Sequence, residues 1–113
     1  MFNKSSPPSG GLKIPPKIQS STIDQAHSYA ATRPWHADFQ LNLRFKNQFC
    51  YLDASKKEED SFPLGRLRYF GQDNWSLALY TYSNERYEPC IFPSGNWFGT
   101  LEEAIDLCEL YLI

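Results

Sequence analysis

The chain has 113 residues, enough for one domain and too few for a large catalytic protein. Eleven Lys and Arg against thirteen Asp and Glu give a formal charge of −2, so the chain as a whole is not a basic nucleic-acid clamp. Valine is absent, and a core must be built from Leu together with three Trp, seven Tyr and eight Phe.

No apolar run approaches the roughly 18 residues of a membrane span. The start, MFNKSSPPSGGLK, lacks an apolar signal-peptide segment, so secretion is not expected. Cys50, Cys90 and Cys108 are odd in number and widely spaced, which fits reduced thiols in a cytoplasm better than a disulfide framework.

Composition changes near residue 35. Pro7, Pro8, Pro15, Pro16 and Pro34 lie before it, among Ser5, Ser6, Ser9, Gly10 and Gly11. Such a stretch buries too little apolar surface to offset its ordering entropy, so residues 1–37 are expected to form a largely disordered tail. Thr22 and Gln25 have capping-box spacing, and Ile23, Ala26 and Ala30 suggest a short helix over 22–31. The charge divides at the same place. Residues 1–37 carry +3 and residues 38–113, the expected folded domain, carry −5.

From Phe39 to Lys46 every odd position is apolar and every even one polar, the signature of a half-buried strand. Phe49–Cys50–Tyr51–Leu52 follows across a turn at Asn47–Gln48. A two-residue turn opposes Phe45 to Cys50, whereas a three-residue turn opposes Phe45 to Phe49; both leave an apolar face. Residues 55–61 read as a charged loop. Arg66 to Phe70 alternates again and leads through Gly71–Asn74 into a strand from Trp75 to Tyr82. With Asn74 left-handed, that hairpin is expected to oppose Tyr69 to Leu77, Leu67 to Leu79, Arg68 to Ala78 and Arg66 to Tyr80. Tyr87 to Phe92 is a last strand, and Pro89 assigns it to an edge or a bulge.

Thr100 and Glu103 form a capping box for a helix. Leu101, Ala104, Ile105, Leu107, Cys108, Tyr111 and Leu112 cover one arc of it, with Glu102, Asp106 and Glu109 opposite. The expected fold is α+β: an antiparallel sheet of about five strands with the C-terminal helix packed on one face.

Motifs for catalysis are lacking. His27 and His36 have neither the short paired spacing nor the neighbours of a zinc site, and are expected to face solvent. Neither GxxxxGK[ST] nor GxGxxG occurs. The cysteines read as small hydrophobes without an adjacent base. Glu58, Glu59 and Asp60 beside Lys56 and Lys57 read as a solvated loop. No catalytic residue, metal or cofactor is expected, and an enzyme is the less favoured class.

One constellation stands out. The sheet face away from the helix should carry Asn42, Arg44, Lys46, Arg66, Arg68, Phe70, Tyr80 and Tyr82. Cations beside flat rings on an open sheet are what single-stranded nucleic-acid binders use. Cross-strand cation–π pairing explains the same residues without a ligand, and the domain charge of −5 weighs towards that explanation.

The segments RFKNQFCYLDA, PLGRLRYFG and YTYSNERYEPCIFPSGNWFGTLEEA resemble a family of short, uncharacterised bacterial proteins over about residues 43–112. That resemblance implies no activity. Phe98–Ala104 is also similar to the strand-to-helix junction of HicB-type antitoxins, a short stretch that is mostly capping chemistry. Together these features lead to a non-enzymatic macromolecular binding module. Its expected partner is a protein or a second copy of the chain, because Tyr80, Tyr82 and Tyr87 cannot all enter the core and surface Tyr is enriched in interfaces. Single-stranded nucleic acid is the alternative partner.

Overall fold

The computed structural model describes residues 6–113 of the chain. Residues 1–5, the first part of the Pro/Ser-rich segment, lie outside the described residues. The fold is α+β, as the alternation and the C-terminal amphipathic pattern predict. Strands β1 (Phe39–Lys46), β2 (Phe49–Lys56), β3 (Phe62–Tyr69), β4 (Trp75–Thr81) and β5 (Arg86–Cys90) form an antiparallel meander in that spatial order. A two-residue strand, β6 (Phe98–Gly99), pairs with Trp75 and Ser76 of β4.

The first hairpin closes through the two-residue turn, with Asn47 at φ 54, a left-handed conformation that Asn tolerates. Phe45 therefore opposes Cys50 and Leu43 opposes Leu52. Cys50 and Leu52 are wholly buried, and parity turns Phe49 and Tyr51 to the opposite face. Between β2 and β3 the register shifts at Leu52/Asp53, so Leu64 is an extra residue. This bulge lets Phe62 and Leu64 on one side of it, and Leu67 and Tyr69 on the other, all point into the core.

The second hairpin differs from the expected register by two residues. Leu67 opposes Leu77, Tyr69 opposes Trp75, Arg66 opposes Ala78 and Arg68 opposes Ser76. The reason lies in the loop. Gly71, Gln72 and Asp73, rather than Asn74, take left-handed conformations. The Asp73 carboxylate accepts hydrogen bonds from the Trp75 indole and the Leu101 amide, both at 3.0 Å. Phe70 to Asn74 thus becomes a wide loop, closed by the Phe70 N–H donating to the Asn74 carbonyl at 2.8 Å. A slip of two preserves the faces, so the core side chains are still the expected ones.

Helix α2 (Leu101–Cys108) begins at the capping box. The Glu103 amide donates to Thr100 Oγ1 at 3.1 Å, and the Thr100 amide donates to Glu103 Oε1 at 2.8 Å. Leu101, Ala104, Ile105, Cys108 and Leu112 are buried on the sheet. Gly65 allows this approach: a Cβ there would lie 3.3 Å from Cys108 Sγ and 3.0 Å from the Ala78 carbonyl. Glu102 faces water, so Glu102→Gln should leave the thermal midpoint within about 2 °C of the parent, since exposed substitutions cost at most about 0.5 kcal/mol.

The N-terminal segment corrects the expected tail. A helix, α1, spans Pro16–Ala30 rather than 22–31, with Pro16 at its first turn where a missing N–H costs nothing. Thr22 is not a cap but a buried residue in the middle of the helix. Ile18, Thr22, Ala26 and Ala30 recur every four residues, and the small Thr22, Ala26 and Ala30 let α1 lie close on the sheet beside α2. Ile14 and Trp35 are also buried, so residues 14–35 share one core with β1–β4 and α2, and the expected division at residue 37 is not a boundary of the core.

Glu109 was expected to face away from the core. Instead it receives Arg33 Nε at 2.5 Å, Arg33 Nη2 at 3.1 Å and the Trp35 indole at 2.6 Å. The Tyr29 hydroxyl donates to Asp106 at 2.5 Å. Asp106 on α2 thus holds the end of α1, and Glu109, just past α2, clamps the segment that follows α1.

Candidate functional site

Both helices pack on one side of the sheet, leaving the other side open. Parity and register bring Arg44, Arg66, Arg68 and Tyr80 together there, with Lys46 at the exposed hairpin end. Tyr82 lies just beyond β4, 47% exposed, with its hydroxyl donating to the Pro63 carbonyl at 2.5 Å. Phe70 stands at the rim of this face, against Phe98, which opposes Ser76 just as Arg68 does. It lies in the β3–β4 loop, edge-on to Phe98 at 5.1 Å, because the strand ends one residue earlier than the alternation suggests.

Phe49, Tyr51, Asp53 and Tyr87 complete the face. Arg66 and Arg68 both lie over the Phe49 ring, at 4.6 and 4.7 Å from its centroid, and Arg66 also reaches Tyr87 at 5.4 Å. Arg44 lies over Tyr51 at 4.7 Å. Its Nε donates to Asp53 at 2.5 Å, and this pairing raises the guanidinium pKa above its ordinary value. Rings continue across the face: Tyr51 to Tyr87 at 5.6 Å, Tyr87 to Tyr80 at 5.1 Å, Tyr80 to Tyr82 at 4.8 Å and Tyr82 to Tyr111 at 5.5 Å. The Tyr111 hydroxyl donates to the Tyr80 carbonyl and ties the end of α2 to this row. Burial, then Asp53, pushes the Tyr87 hydroxyl pKa up, so the phenol stays neutral at physiological pH.

Charge is segregated between the two sides. Arg44, Lys46, Arg66 and Arg68 are four of the chain's eleven cations, and Asp53 is the single carboxylate beside them among the described residues. Glu102, Glu103 and Asp106 on α2, and Glu109 in the turn that follows it, lie across the sheet. A net charge of −2 for the chain therefore conceals a basic face.

The N-terminal segment reaches this face too. Gly10 and Gly11 both have positive φ, and a Cβ on Gly11 would lie 2.8 Å from the Tyr69 carbonyl. The Leu12 amide donates to that same carbonyl at 2.8 Å, and the Ile14 amide donates to the Asn47 carbonyl at 3.0 Å. The chain thus crosses the end of the sheet from the open side to α1. Arg68 Nη1 donates to the Gly10 carbonyl at 2.8 Å. Pro7 and Pro8 close a cavity of about 50 Å³ with Arg66, Arg68, Ser76, Leu77, Ala78, Pro89 and Trp97. Burial and the neighbouring Arg66 lower the Arg68 pKa from its ordinary value.

The cysteines lie elsewhere. Cys50 and Cys108 are buried, and Cys90 is half-buried. Burial holds the Cys108 thiol at about 12 and pushes those of Cys50 and Cys90 upward, the opposite of what a nucleophile requires. His27 and His36 are both exposed, His27 within 3.1 Å of the Leu41 carbonyl. Among the described residues no helix is long and apolar enough to cross a membrane.

The fold and site define an antiparallel meander with helices on one side and a basic, aromatic sheet on the other. Compared with family models, with curated proteins and with solved structures, the chain matches none.

Proposed function

We propose that this chain is a non-enzymatic binding module and that its open sheet face binds single-stranded nucleic acid. The observation that carries this reading is the charge segregation: three cations in excess of carboxylates among rings on one face, within an acidic chain. A phosphate polymer responds to the local field of the face it meets, so the overall charge of −2 does not oppose contact there. Arg66 and Arg68 share the Phe49 ring, so bases would stack on Tyr51, Tyr80 and Tyr87, while phosphates meet Arg44, Lys46 and Arg66.

Fluorescence anisotropy with a mixed-sequence single-stranded oligonucleotide at low salt tests this. The parent should bind, with an affinity that falls as salt rises. Arg66→Ala should weaken binding severalfold and flatten the salt dependence by about 0.7 in log–log slope, the loss of one phosphate contact. Lys17→Ala, on α1, should change neither. No anisotropy change at low salt would end the reading.

A second reading, association with a protein, is favoured by the row from Tyr51 through Tyr87, Tyr80 and Tyr82 to Tyr111. Under it Tyr82→Ala lowers affinity for the partner while Arg66→Ala leaves the salt dependence unchanged. Three thiols without a disulfide support a reducing, cytoplasmic setting for either role.

A further inference from the structure

Of the sheet's two edges, β5 carries Pro89, whereas β1 is an eight-residue strand without Pro or a bulge. Lys46 and Phe49 flank the two-residue turn, so Lys46, Arg44, Asn42 and Gln40 direct their backbone groups to β2. Phe39, Leu41, Leu43 and Phe45 therefore direct theirs outward. The His27 contact with the Leu41 carbonyl agrees with this parity. The other outward groups hold no hydrogen bond among the described residues, which makes the edge a template for another strand.

We infer that the occupant is a second copy of this chain, its β1 antiparallel to the first, with Leu41 of each opposite Leu43 of the other. In that register Phe39 faces Phe45 and Gln40 faces Arg44 across the two-fold axis. Asp38 faces Lys46, twice by symmetry. Asp38 and Lys46 are both exposed, and neither has an ion-pair partner among the described residues. A slip of two residues one way sets Asp38 against Arg44, which Asp53 already holds. The opposite slip sets Lys46 against Gln40. The chosen register alone matches both charges and keeps apolar side chains on the helix side.

A groove of about 260 Å³ lies beside this edge, lined by His27, Ala30, His36, Phe39, Gln40 and Leu41. The Leu43 and Phe45 side chains of the second copy enter it, because they face the helix side in the same register. Pairing replaces the His27 contact at the Leu41 carbonyl with a ladder bond from the Leu43 amide of the other copy. The two open faces then form one continuous platform. The contact is small, so the dimer is weak and concentration-dependent.

Sedimentation velocity of the full chain from about 10 µM to about 1 mM tests the inference without any nucleic acid, so it stands or falls apart from the binding reading. The expected result is a reversible monomer–dimer equilibrium. Asp38→Lys and Lys46→Asp should each weaken it about tenfold by setting like charges opposite, and the double variant should restore it. His27→Ala should strengthen it by exposing the edge carbonyl. A monomer throughout the range, a dimer indifferent to both single reversals, or a double variant that fails to recover would each overturn it.

Discussion

Ile105→Ala is expected to unfold the protein or loosen it markedly. The side chain is 1% exposed beneath α2. That helix has only eight residues and no basic residue near its C-terminal end, so neither propensity nor the macrodipole sustains it. Packing must hold it, through Ile105, Cys108 and Leu112 over the ground opened by Gly65. Deleting a buried Ile to Ala costs about 2–5 kcal/mol against a total of about 5–15 for a small domain. The thermal midpoint, followed by circular dichroism, should fall by about 8–20 °C. A variant melting within a degree of the parent would mean that α2 does not cover the sheet.

Removing Glu109 should have the next largest effect, and a local one. Its carboxylate collects both Arg33 donors and the Trp35 indole, with only 20% of its side chain exposed. Glu109→Ala leaves three donors without their acceptor, at a cost of about 1–3 kcal/mol. Hydrogen exchange should rise first in residues 16–37, and chymotrypsin should cut sooner after Tyr29 and Trp35. The Arg33 hydrogen bond, with the indole, lowers the Glu109 pKa from its ordinary value against the opposing effect of burial. A depressed carboxylate contributes stability that is fully present above its unfolded pKa of about 4.3 and is lost as pH falls through the folded value. The gap in thermal midpoint between the parent and Glu109→Gln should therefore be full at neutral pH and narrow in acid. An equal gap at pH 7 and pH 3 would contradict the clamp.

Much of this fold was legible because its signals are local. Alternation from Phe39 to Lys46, Pro89 at an edge and the Thr100–Glu103 box each depend on a few consecutive residues. The hairpin register at Tyr69 and Trp75 was not, because three successive left-handed residues are held by an Asp73 contact to Leu101, distant in sequence. Only the second half of helix α1 was legible, for a related reason. Its buried stripe is Thr22, Ala26 and Ala30, whose apolar area is small, and only the sheet beneath gives those residues something to bury. The open face was half visible. Arg44, Arg66, Arg68 and Tyr80 followed from parity alone, whereas Phe49 and Tyr51 depended on choosing the two-residue turn. Asn47, the more permissive residue for a positive φ, was the available clue.

Segregation of charge is what the sequence conceals most completely. Arg66 and Arg68 are twenty to twenty-four residues from Arg44 and Lys46 along the chain, and β1 and β3, on either side of β2, bring them to one side. Counting charges over the domain averages this away.

The most direct test of the proposed binding face is a two-dimensional amide NMR titration of the labelled protein with a single-stranded oligonucleotide at low salt. Binding through the open sheet predicts shifts that begin at Arg44, Tyr51, Arg66, Tyr80 and Tyr87 and leave Glu102, Asp106 and the rest of α2 unmoved. Spectra that do not change, or changes centred on α2 and α1, would contradict it.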